Sequence, residues 1–191
     1  MPKANLPHFS EAVLNNINNF TGSWSKFFQE LKLRIGADKE YSLGGTLAVN
    51  TTAVGNVDGG EDNLITYSME KNTLLNLGDF IEIEAFGTFA NNTNSKTVKL
   101  YLGTTVVFSV VGTTAFQNVD WHLKSTIIRT TATTQKIIST ITVSGALATD
   151  YVEAAEDFAT ALTIKCTGTS GSAATDDIIQ KGLIIKQFPS N

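Results

Sequence analysis

Cysteine occurs once, at Cys166, so no disulfide can form within the chain and a disulfide-stapled scaffold is excluded. Histidine occurs twice, at His8 and His122, and no Cys or His spacing suggests a zinc site. Charged residues make up only 17% of the chain, and acids outnumber bases 18 to 14, so a phosphate-binding surface of clustered Lys and Arg is missing. Nucleic acid is therefore not an expected partner. No window approaches the roughly 18 consecutive apolar residues of a membrane span, so no membrane association is expected. The opening MPKANLPHFSEAV has no basic start followed by an apolar core, which a secretory signal needs, and synthesis in the cytoplasm is expected. Nucleophile-elbow and phosphate-loop motifs are absent as well.

What is present is apolar and turn-forming. With 191 residues, 42% of them apolar, and only three prolines, the chain can bury one good core. Residues 1–40 differ from the rest. Ser10 is placed to cap a short helix through EAVLNNINNF, and SWSKFFQELKL puts Trp24, Phe27, Phe28 and Leu31 at helical spacing on one face. Two readings fit that face: a cap on the chain's own domain, or a docking and oligomerisation segment, since Trp and Phe left together in water are a liability.

From Tyr41 onward the helical period gives way to short alternating runs. Strands are predicted at 43–49, 64–69, 80–90, 97–102, 105–111, 119–129, 135–143, 161–167 and 178–188, with turn chemistry between them in VDGGEDN, NNTNS, LGTT and TGTSGSAATDD. In GDFIEIEAFG, Ile81, Ile83 and Ala85 share one face and Glu82 and Glu84 the other. In TVKLYLG, Val98, Leu100 and Leu102 oppose Thr97, Lys99 and Tyr101. Those two runs, joined by NNTNS, read as a β-hairpin. The abundance of Thr, Val and Ile agrees with pleated surfaces, and an all-β antiparallel sandwich of two sheets accounts for strands with one apolar face each. No repeat of 20–50 residues points to a propeller or solenoid.

Candidate chemistry is sparse. Glu82 and Glu84 lie two apart on a strand, where a wet face is the plain explanation. Asp58-Gly-Gly-Glu61-Asp62 has the oxygens a calcium loop uses but not the EF-hand spacing, and reads as an acidic turn. Asp176-Asp177 is expected to close a loop on its own backbone, and Glu153, Glu156 and Asp157 to lie in a surface loop or helical turn. His122 is expected on a solvated strand face opposite Trp121, Leu123 and Ile127. Trp121 is read as a core anchor, and Cys166, alternating with Leu162 and Ile164, as a buried thiol. The sequons at Asn19, Asn50 and Asn91 read as by-products of an Asn- and Thr-rich chain. No catalytic residue, metal ligand or cofactor is expected, and the chain reads as a non-enzyme.

Three stretches carry a resemblance to a known family: GDFIEIEAFGTFANNTNSKTVKLYLG, DWHLKSTIIRTTATTQK and DDIIQKGLIIKQF. Over about Leu43 to Phe188 the chain resembles the jelly-roll domains of tailed-bacteriophage virion proteins. The resemblance implies an antiparallel jelly-roll β-sandwich over 41–191, often a homotrimer, on the virion surface after synthesis in the host cytoplasm. It further implies a capsid decoration or cement protein bound to the major capsid protein or other virion proteins, with 1–40 as the docking segment. A tail-associated fibre or adaptor protein is the alternative.

Overall fold

Alternating runs become eleven strands in the computed structural model, which describes residues 45–190. The predicted helical segment, with Trp24, Phe27, Phe28 and Leu31, lies outside the described residues. The strands are β1 (Gly45–Asn50), β2 (Val54–Gly55), β3 (Glu61–Met69), β4 (Phe80–Phe89), β5 (Lys96–Leu102), β6 (Thr105–Gly112), β7 (Asp120–Arg129), β8 (Gln135–Val143), β9 (Ala146–Ala154), β10 (Leu162–Ser170) and β11 (Ile178–Phe188). The helical content of the described residues is a single 3-10 turn, Thr114–Phe116.

Two antiparallel sheets result. The larger runs β1-β11-β4-β7-β8-β9, with β2 also paired to β11, and the smaller runs β3-β10-β5-β6. Setting aside the short β2 and the β8–β9 hairpin leaves eight strands in the orders β1-β11-β4-β7 and β3-β10-β5-β6. That is the jelly-roll arrangement, in which the chain passes back and forth between two four-stranded sheets. The inner faces meet in one core. Ile81, Ile83 and Ala85 of β4, Leu123 and Ile127 of β7, and Leu183 and Ile185 of β11 face Val98, Leu100 and Leu102 of β5 and Ile164 and Cys166 of β10. Each fully buried Leu or Ile of this kind contributes about 1.5–3 kcal/mol.

The β4–β5 segment is not a hairpin. β4 pairs with β11 and β7, whereas β5 pairs with β10 and β6, so NNTNS carries the chain from one sheet across to the other. Alternation reports which face of a strand is buried but not which strand lies beside it, and both inner faces are satisfied across the sandwich. The crossing explains the Asn- and Lys-rich composition. Lys96, wholly buried, donates from Nζ to the Asn92 carbonyl (3.0 Å), Asn92 Oδ1 (2.8 Å) and the Asn94 carbonyl (3.2 Å). Asp177, at the head of β11, accepts from Asn92 Nδ2 (2.5 Å), Asn94 Nδ2 (2.7 Å) and the Ser170 hydroxyl (2.6 Å). Asp177 therefore ties three segments together rather than closing its own loop.

Bulges change which side chains point inward. In β6 an extra residue at Val107 puts Val107 and Phe108 both inside and leaves Val106 and Val111 outside, Val111 at 62% exposure. Strict alternation would have put Val107 and Val111 on the same face. In β3, Leu64 and Ile65 both point inward, and the Ile65 amide donates to Gln180 Oε1 of β11 at 2.9 Å, joining the sheets through a buried polar contact.

Glu153, expected in a surface loop or helical turn, belongs instead to strand β9. The turn that makes it a strand is Ser144-Gly145, both at positive φ (48° and 82°), the two-residue hairpin geometry that matches strand twist. The first half of β9 lies beyond the smaller sheet's cover, with Ala146, Ala148 and Asp150 of its inward side exposed, whereas Val152 is half-buried and Ala154 joins the core.

Candidate functional site

Most of the acidic side chains singled out in the sequence serve as hydrogen-bond acceptors that hold strands and loops. Glu61 accepts from Lys99 Nζ (2.7 Å), the Tyr101 hydroxyl (2.6 Å) and the Thr167 hydroxyl (2.7 Å) on the outer face of the smaller sheet. Burial alone would raise its carboxyl, but those three donors and the Lys99 charge outweigh it and bring the pKa from 4.5 down to about 2. Asp62 takes the Val57 and Asp58 amides and Asp58 the Gly60 amide, so the DGGED turn is closed by its own backbone. Glu156 Oε1 accepts from the amides and hydroxyls of Thr104 and Thr105, pinning the β5–β6 turn.

Asp79, Glu156 and Asp177 all sit below the ordinary carboxylate range. In each, burial pushes upward and is outweighed by hydrogen-bond donors, with the Lys96 charge adding to the effect at Asp177. A general acid at neutral pH needs the opposite displacement. Cys166 is buried in the core, and burial pushes its thiol up to about 12, which keeps it protonated and unreactive. Trp121 is a core anchor as expected, its ring close to Phe89 (centroids 6.2 Å) and passing beneath Gly87, where a Cβ would collide with the indole. Among the described residues no group of three or more His, Cys, Asp or Glu is placed to hold a metal ion, and no helix is long and apolar enough to cross a membrane.

The concave feature is a groove of about 750 Å³ at one end of the larger sheet. Register builds its floor. Gly182 of β11, Phe86 of β4, His122 of β7 and Thr142 of β8 are successive cross-strand partners, and the next row pairs Thr88 with Asp120. All of these point to the outer face, opposite the buried Ala85, Trp121 and Ile141. A Cβ at Gly182 would fall within the distal edge of the Phe86 ring, so the ring reaches across β4 onto β11 and lies along the sheet. Beside it β11 bulges at Lys181, between Gln180 and Gly182, and turns that side chain outward into the groove lining. The Ser144-Gly145 turn and Asn118, another residue at positive φ (51°), form the rim.

Charges in and beside the groove are mixed. His122 Nε2 lies 3.8 Å from Glu84 Oε2, and Lys124 Nζ lies 3.5 Å from Glu84 Oε1, both at loose, solvent-exposed range. Glu82 and Glu84 are on the wet face as expected. Pockets of about 300–1,000 Å³ that combine an aromatic surface with a few polar groups are the usual form of small-ligand sites.

No family model matches the chain, and no curated protein matches it. Solved structures similar to it include the CBM2 module of the evolved Dit of Lactobacillus casei BL23 phage J-1, at 10% identity and a TM-score of 0.34, covering 66% of this chain and 69% of that one. Another is the EclA C-terminal domain, a sugar-binding protein, at 10% identity and a TM-score of 0.32, covering 94% of this chain and 99% of that one.

Phe86, Thr88, Asp120 and Thr142 are groove residues that sequence reasoning missed, and Phe86 is the aromatic among them. Its signal was present in IEIEAFG: the alternation that places Glu82 and Glu84 outward also places an aromatic there. His122 stands on the solvated face predicted for it, its side chain 41% exposed. Lys181 was not legible, because its outward position comes from a bulge.

Proposed function

We propose that the chain is a non-enzymatic bacteriophage virion protein, a trimeric capsid decoration or cement protein bound to the major capsid protein. The observation that carries this reading is the strand order. The antiparallel jelly-roll sandwich implied by the resemblance to virion domains agrees with the strand order the described residues form, although NNTNS crosses between sheets instead of closing the expected hairpin. This is an analogy at the level of fold, where function resides in surfaces. The non-enzymatic part is supported by Glu61, Glu156 and Asp177, whose hydrogen-bond donors hold them in the ionised form.

Under this reading residues 1–40 are the docking segment, with Trp24, Phe27, Phe28 and Leu31 against the capsid or a neighbouring subunit. The test is binding of the full chain and of residues 41–191 to phage heads that lack it. The full chain is expected to bind and the shortened one to stay folded without binding, because strands from Gly45 onward supply their own buried faces. Unimpaired binding by residues 41–191 would end the docking assignment. Within the segment, Trp24→Ala is expected to cost about 2 kcal/mol or more in head affinity, and Gln29→Ala little.

A second reading, a tail-associated fibre or adaptor protein that meets a host receptor, is favoured by the groove. Recognition through aromatic loop tips is not how it would work, since Phe116 and Phe158, the aromatics in the described loops, are both buried. In the groove the half-buried aromatic is Phe86, on the sheet, and outside it Tyr151 of β9 is exposed.

A further inference from the structure

Phe86, Thr88, Asp120, His122, Thr142 and Lys181 converge on one open groove. Several polar side chains elsewhere in the fold are committed. Glu61, Asp79, Glu156 and Asp177 each accept two or more hydrogen bonds, and Lys96 donates three. In the groove the side chains of Thr88, Asp120, Thr142 and Lys181 make no hydrogen bond to any group among the described residues, and His122 makes only the 3.8 Å approach to Glu84. An aromatic ring lying along a sheet, ringed by uncommitted donors and acceptors, is a surface prepared for a flat ligand that is apolar on its faces and polar around its edge.

The charges narrow the class. The lining holds one carboxylate, Asp120, one ammonium, Lys181, and one imidazole, His122, so the groove has no cluster of cations to select a phosphate, sulfate or sialic acid carboxylate. The polar lining disfavours a lipid or an aliphatic peptide side chain, which would leave Asp120 and Lys181 desolvated without partners. A pyranose ring satisfies both requirements: its C–H face covers the aromatic ring and its equatorial hydroxyls donate to Asp120 and accept from His122 and Lys181.

We propose that this groove binds a neutral hexopyranose unit of a surface glycan, stacked on Phe86 and held at its edge by Asp120 and His122. The proposal deepens the receptor-binding reading by naming the ligand class, and it does not depend on where in a virion the chain sits.

The experiment applies the full chain to an array of neutral oligosaccharides of glucose, galactose, N-acetylglucosamine and rhamnose, alongside sialylated and sulfated ones. Any captured glycan is then titrated in solution. Neutral glycans are expected to bind, with Phe86→Leu weakening the affinity about tenfold or more while still covering Gly182, and Phe86→Tyr retaining it. Asp120→Asn is expected to weaken binding, and Lys99→Ala, on the opposite sheet, to leave it unchanged. Thermal melts of each variant separate lost binding from lost folding. Because Asp120→Asn removes only an exposed charge, it decides the matter even if Phe86→Leu unfolds. A silent array, capture of anionic glycans alone, or neutral binding that Phe86→Leu and Asp120→Asn leave unchanged would each overturn the proposal. Head binding by the same chain is a separate readout, so failure on the array would leave the capsid reading standing.

Discussion

Lys96 shows what one residue can do in a fold with so few charges. Its ammonium is buried among the backbone and side-chain oxygens of Asn92 and Asn94. Burial lowers its pKa, and the nearby negative charge of Asp177 pulls in the opposite direction. Lys96→Met would fill the space and leave three acceptors and the Asp177 carboxylate without their cation. The expected loss is about 2–4 kcal/mol by urea denaturation, and a loss near zero would show that the crossing does not depend on it. Glu61 offers a second residue-scale test, through pH. Its folded pKa of about 2 lies below its ordinary 4.5, so the stability it contributes is complete above pH 4.5 and lost as pH falls through that value towards 2. The lowered values of Asp79, Glu156 and Asp177 act in the same direction. The melting temperature is therefore expected to fall across that acid range, less steeply in Glu61→Gln, and an unchanged slope in that variant would contradict the assignment. At this scale the burial of Cys166 and Trp121 was legible, because alternation places single side chains well. The tie between Asp177, Asn92 and Asn94 was not, since partners more than 80 residues apart meet only once the strand order is known.

Elements were legible where they alternate and illegible where geometry departs from alternation. The predicted strands recur with boundaries moved by up to three residues, but two were absent from the prediction: β2, only two residues long, and β9, because ALATDYVEA is weakly apolar on both faces. The hairpin signal was Ser144-Gly145, a serine where asparagine is preferred. Ser144→Asn, which tolerates positive φ better, is expected to raise stability by a few tenths of a kcal/mol and the melting temperature with it. A decrease would show that the turn needs serine for another reason. Gly87 tests the opposite case. A Cβ there would meet the Ile179 carbonyl of β11 and the Trp121 ring, so Gly87→Ala is expected to cost about 1–3 kcal/mol. The bulge at Val107, which turns Val106 outward beside Val111, could not be read from TVVFSVVG, since a bulge is set by the partner strand.

At the largest scale residues 45–190 form a jelly roll whose β8–β9 hairpin widens one sheet, and that architecture was foreshadowed by the resemblance more than by composition. Composition predicted two sheets; their interleaved order followed from neither periodicity nor turn chemistry. The outward Val106 and Val111 on the edge strand β6 are candidates for burial between copies, and light scattering is expected to report three times the 20.5 kDa chain mass. A monomer at micromolar concentration would remove the trimer. The proposed virion role is tested most directly by one quantity, the number of copies per particle. Quantitative mass spectrometry of purified virions of the encoding phage, scaled to the major capsid protein, is expected to find hundreds of copies, as a decoration protein requires. A handful to a few dozen would move the protein to the tail, and its absence from the particles would contradict the account.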